Sequence, residues 1–207
     1  MFRIFFSFFV VLFMVGCAGL TKPDFQISTS QSDKFADKTK PKIYSSYNRL
    51  STKSVCGGIH IDDKGVYIDP IASFDKDQKL EQLSLVVLYY NLTSTDTLSN
   101  DVCGKKGFEP IQEVVFLADE KRISIKVKPF NLDIKYYNWN NISNGYDGIY
   151  REDSAGIITL DELKTIANAK NLDVKVIGGK NSQTFENSEI EDDFKTNLKS
   201  FIKAIGR

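Results

Sequence analysis

The sequence predicts an α+β fold: a predominantly antiparallel β-sheet or sandwich, completed by a short helix and an amphipathic C-terminal helix. Three observations predict it. From about residue 43 to residue 151, apolar residues recur with period two in short runs separated by Gly, Asp and Asn turns, the pattern of strands. Thr159-Leu-Asp-Glu162 reads as a capping box opening a short helix. Ile190, Phe194, Leu198, Phe201, Ile202 and Ile205 fall on one stripe of a 3.6-residue period.

Each element follows from local chemistry. Ile59 and Ile61, then Val66 and Ile68, flank Asp62-Asp63-Lys64-Gly65, a hairpin with Gly65 at a positive φ. Residues 82–92, QLSLVVLYYNL, predict a central strand buried on both faces. In VVFLADEKRISIKV, apolar residues 114–117, a charged turn at 118–122 and alternating Ile123, Ile125 and Val127 make a second hairpin. Asn131–Tyr137 and Gly145–Arg151 are further strands, and Pro129 places its strand at an edge or a strand start. The capped helix runs through Lys170 with Leu160, Leu163, Ile166 and Ala167 on one face. Leu172, Val174 and Val176 then alternate into Gly178-Gly179 and a strand near Gln183–Phe185. Ser188 and Glu191 are expected to cap the closing helix. A membrane-surface role for that helix is disfavoured by Glu189, Glu191, Asp192 and Asp193 at its start, so its stripe is expected to face the core. The order helix, strand, glycine turn, strand, helix is similar to the end of other small bacterial envelope proteins of uncharacterised function.

The first twenty residues, MFRIFFSFFVVLFMVGCAGL, carry a different message. Arg3 is followed by an apolar run over residues 4–15, the length of a signal-peptide core and shorter than the roughly 20 residues of a spanning helix. Met14-Val15-Gly16-Cys17 resembles the lipobox of bacterial lipoproteins, with Met14 where leucine is usual. That resemblance implies cleavage before Cys17, a diacylglycerol thioether on its sulfur and a fatty acyl chain, such as palmitate, on its nitrogen. More than one chain suffices for stable anchoring without a spanning helix. Ala18, where retention at the inner membrane would call for Asp, implies the outer membrane, with the body periplasmic or surface-facing. An ordinary secretory peptide and an uncleaved anchor helix are the alternatives.

The expected organisation is therefore a signal peptide at 1–16, the lipidated cysteine and a flexible tether at 17–42, and one α+β envelope domain at 43–207. The tether reading rests on a Ser-, Thr-, Lys-, Asp- and Gln-rich composition between Pro23 and Pro41, with too little apolar surface to offset ordering entropy. Phe25, Ile27 and Phe35 leave open a segment that packs along the domain. Residues 1–16 contain one arginine and no acid, so without them 26 basic residues face 27 acidic ones. That balance, with no basic block, gives no support for nucleic-acid binding.

Candidate chemistry is sparse. Cys56 and Cys103 remain once Cys17 is lipidated, and an exported pair beside glycines is expected to form a disulfide. Separate thiols are the alternative; without CxxC or HxxxH spacing, no metal or other cofactor is expected. His60 is the only histidine, and with Ser54 or Ser73 it would have to carry any Ser–His–Asp hydrolase, yet no Gly-x-Ser-x-Gly occurs. Residues 151–162 match a calcium loop at Gly156, Ile158 and Glu162 but place Arg151 and Ala155 where ligands belong, so a turn feeding the capped helix is expected and no calcium. Tyr136, Tyr137, Trp139, Tyr146 and Tyr150 cluster among asparagines, a composition suited to a sugar, a peptide or a protein surface, or to a core. The expectation is a membrane-anchored, non-enzymatic interaction or assembly module with an envelope-protein or cell-wall partner. A small-ligand or glycan-binding lipoprotein is second and a hydrolytic enzyme third.

Overall fold

The computed structural model describes residues 23–30, 41–53, 64–94, 107–141 and 145–206. Among them, two antiparallel sheets and two helices make a β-rich α+β fold. The larger sheet contains β1 (Gln26–Ser30), β2 (Lys42–Ser46), β4 (Gly65–Phe74), β5 (Leu80–Ser94), β9 (Gly145–Ile157) and β8 (Lys128–Asn140), in that spatial order, with β3 (Arg49–Ser51) also paired to β4. The smaller sheet runs β11 (Ser182–Phe185), β10 (Leu172–Gly178), β6 (Ile111–Ala118) and β7 (Lys121–Lys126). Helices α1 (Leu160–Asn168) and α2 (Asp192–Ile205) pack on each other, α1 reaching β6 and α2 reaching β2 and β4, so the pair joins the two sheets.

The alternation read from the sequence becomes the core. Val66, Ile68 and Ala72 of β4 and Leu83, Leu85, Val87 and Tyr89 of β5 turn to the same interior as Val114, Phe116, Ile123, Ile125, Val174 and Val176 of the smaller sheet. Phe194, Leu198 and Phe201 of α2 close it, all at most 1% exposed, so the stripe on the last helix faces the core. Thr159 caps α1: its hydroxyl accepts from the Glu162 amide, and the Glu162 carboxylate accepts from the Thr159 amide. The β6–β7 hairpin turns through Asp119 and Glu120, both at positive φ.

Several expectations are corrected. Residues 26–30, assigned to the free tether, form β1 and pair with β2 in register from Gln26–Ser46 to Ser30–Lys42. The pairing is backbone-driven and leaves Ile27 exposed, so apolar content could not reveal it. β5 is central, but only its inner face is buried; Val86, Leu88 and Tyr90 are half-buried on the other side, as an antiparallel sheet with one open face allows. Residues 151–157 continue β9 where a turn was expected. The second capping box lies two residues earlier, between Glu186 and Glu189 around a 3-10 turn, and Glu191 caps nothing with its side chain. Glu191 instead pairs with the buried Arg49 of β3, a partner 142 residues away in sequence. The hairpin arm at Ile59 and Ile61 lies outside the described residues, whereas Gly65 has the expected positive φ of 131°.

Candidate functional site

Two places on the larger sheet gather chemistry, one on each face. The outer-face site begins with the alternation of β4, VYIDPI, which sends Tyr67, Asp69 and Ile71 to one side. Register with β5 sets them opposite Leu88, Val86 and Ser84, and Tyr90 pairs with Arg151 of β9. The chain between β2 and β3 rises beside them and bends at Tyr47, a non-glycine residue at φ 66°. The result is a cleft of about 420 Å³, with an apolar floor of Ile71, Val86 and Leu88 and tyrosines on its walls.

Asp69 is the carboxylate of this cleft. Its Oδ1 accepts hydrogen bonds from the Ser45 hydroxyl (3.1 Å) and the Asn48 amide (3.1 Å). Burial pushes its carboxyl up to about 6, against the Asn48, Ser45 and Tyr47 hydrogen bonds that hold it down. Arg151, at the other end, donates through Nε to both oxygens of Asp153 at 3.0 and 2.8 Å, so its charge is already met by a carboxylate. Among the described residues no cation pairs with Asp69.

The inner face holds the second carboxylate, Glu152, 0% exposed. Its Oε1 accepts from the amides of Phe108 (2.7 Å) and Glu109 (3.0 Å) and from the Tyr150 hydroxyl (2.6 Å), while Oε2 accepts from the Ile111 amide (3.0 Å). Ser154 donates to the Ile111 carbonyl beside it. Gly107 has φ 61°, and a Cβ there would collide with Glu152 and the Tyr89 ring, so the segment can lie against the carboxylate only with glycine at that position. Burial drives Tyr89 up to about 12, opposed by the Asn91 hydrogen bond and aided by the charge of Glu152. Tyr150 is raised further by burial, by its hydrogen bond to Glu152 and by the same charge. Glu152 thus clamps the entry to β6 and presents no open valence to a substrate.

The aromatic segment divides. Tyr150, 2% exposed, belongs to the core and is withdrawn from the candidate binding set. Trp139 and Tyr146 face each other across the β8–β9 register, their rings edge-to-face at 5.0 Å, half exposed. Tyr136 and Leu132 share that face and are 46% and 55% exposed. Pro129 does sit on an edge strand, since β8 ends the sheet. The side chain of Tyr137 is outside what the structure describes, as are Cys17, Cys56, Cys103, Ser54 and His60.

Comparison with family models, curated proteins and solved structures finds no match for this chain. Among the described residues no helix is long and apolar enough to cross a membrane, and no group of three or more metal-ligating side chains assembles. The cleft was missed from the sequence because its residues come from five separated segments. One signal was available: Asp69 is a lone acid in the otherwise apolar strand GVYIDPIASF, on the same alternation as Tyr67.

Proposed function

We propose that this chain is a lipid-anchored bacterial envelope protein, held at the outer membrane through Cys17, whose domain is a non-enzymatic interaction or assembly module for an envelope-protein or cell-wall partner. The observation that carries the reading is the aromatic face at the end of β8 and β9. Leu132, Tyr136, Trp139 and Tyr146 continue the inner face of the larger sheet, yet stay about half exposed. Aromatic side chains supply large contact area at small conformational cost, and they are enriched where protein partners bind. The face is carried on an edge strand, where a partner can also find backbone groups. A small-ligand or glycan-binding lipoprotein remains the second reading, favoured by the Asp69 cleft on the opposite face.

The test is site-specific photocrosslinking in cells with the full-length chain. A photoreactive residue replacing Tyr146 is expected to trap discrete envelope-protein or peptidoglycan adducts, and one replacing the exposed Lys164 of α1 is not. No adduct from position 146, or the same adducts from both positions, would overturn the reading.

A further inference from the structure

We propose that the outer-face cleft between β2, β4, β5 and β9 is a binding site for a small organic ammonium ion carried on an apolar stem, with Asp69 as its counter-charge. This site is independent of the aromatic face and lies across the sheet from it.

The argument starts from what the cleft lacks. Asp69 carries a carboxylate whose Oδ1 is held by Ser45 and the Asn48 amide, so its orientation is fixed from one side by groups that are not charged. No cation among the described residues neutralises it, although Arg151 lines the same cleft and is engaged by Asp153 instead. A carboxylate brought this far out of water without a partner is unfavourable in its ionised form, and its raised proton affinity reports the same imbalance. An ammonium group supplies what is missing: a positive charge with N–H donors for the remaining oxygen positions, a charge-assisted bond stronger than a neutral one.

The rest of the cleft selects the stem. Ile71, Val86 and Leu88 floor it and offer apolar surface. Tyr47 and Tyr67 add aromatic rings to the walls, which favour a cation both electrostatically and by contact. A volume of about 420 Å³ falls within the roughly 300–1,000 Å³ of small-molecule sites and is too small for a folded partner. A carboxylate or phosphate ligand meets the wrong charge at Asp69, and a sugar leaves the ion uncompensated. The class that satisfies every wall is an alkyl- or arylalkyl-ammonium compound.

Amide chemical-shift titration of the full-length chain in detergent micelles tests this, with 2-phenylethylamine as probe and 2-phenylethanol as its uncharged counterpart. The alcohol also reads partition into the micelle. The amine is expected to bind about tenfold or more tightly than the alcohol, with shifts centred on Asp69, Asn48 and Leu88. Asp69→Asn should abolish that preference while leaving the alcohol affinity unchanged. Leu88→Trp, which fills the floor and leaves Asp69 in place, should weaken both probes. Absence of saturable amine binding, equal affinity for amine and alcohol, a preference that survives Asp69→Asn, or binding undiminished in Leu88→Trp each overturns the assignment.

Discussion

Glu152 and Asp69 are both carboxylates on the central strands of one sheet, taken out of water on opposite faces, and they meet different fates. Glu152 accepts hydrogen bonds from three backbone amides and one tyrosine hydroxyl, and so closes its own environment. Asp69 is met by the Ser45 hydroxyl and the Asn48 amide on Oδ1, and by the Tyr47 backbone, with a cleft before it. Depth of burial alone would rank Glu152 as the more suspicious group. The hydrogen-bond inventory reverses that ranking, because a saturated carboxylate is a fastener and a partly met one is an invitation. The difference lies in their neighbours: Glu152 faces a chain segment with amides to spare, Asp69 faces side chains and open space.

The comparison breaks most easily at Glu152. Glu152→Ala leaves two buried amides, the part-buried Glu109 amide and the buried Tyr150 hydroxyl unmet, and about 3–5 kcal/mol of stability should be lost in urea unfolding of the full-length chain. A loss smaller than that caused by Asp69→Ala would put the structural and functional labels the wrong way round.

Asp69 should behave in the opposite sense. Its carboxyl titrates near 6 in the folded chain and near the ordinary value of about 3.9 when unfolded. The folded state therefore binds the proton more tightly, so its contribution is fully present below about pH 4 and lost as pH rises through 6. Asp69→Asn, which keeps an acceptor for Ser45 and Asn48 and carries no charge, should raise stability by about 3 kcal/mol at pH 8 and change little at pH 4. The groups that face Asp69 across this cleft are Tyr47, Tyr67, Tyr90 and Arg151. A stability gain that does not depend on pH would show that Asp69 is tuned by something other than its proton.

The smallest effect is expected at the aromatic face. Trp139 is 50% exposed, and its indole N–H is held by Asn141, so Trp139→Ala should shift the unfolding free energy by no more than about 0.5–1 kcal/mol. A shift as large as that of Glu152→Ala would mean that this ring is part of the core after all.

Local patterns were the legible part of this molecule. The Thr159 cap, the β6–β7 turn at Asp119-Glu120 and the α2 stripe are each written within one short local stretch, and each is where its pattern placed it. Long-range chemistry was not legible. Glu191 looked like a capping residue because its local context allowed it, but the buried guanidinium of Arg49 competes for the same carboxylate and wins. β1 was hidden because an edge strand is held by backbone pairing, which any composition can supply. Tyr150 was left open between a binding surface and the core because its segment mixes aromatics with asparagines and glycines, and its position on β9 turns it toward Tyr89 and Glu152. The cleft depended on register between four strands, a property of pairing that no single stretch contains.

If Cys17 is lipidated as proposed, β1 also sets how far the domain can stand from its anchor. With Cys17 fixed in a lipid layer, a leash running freely to β2 would have 25 peptide steps, a contour of about 85 Å. Pairing of Gln26–Ser30 with β2 leaves nine steps, a reach of about 30 Å at full extension. The five paired residues therefore act as a buckle on a strap. Fastened, they keep the domain within about one domain diameter of the bilayer surface; released by tension on the anchor, they would let out the remaining length at the cost of one edge strand and without disturbing the core.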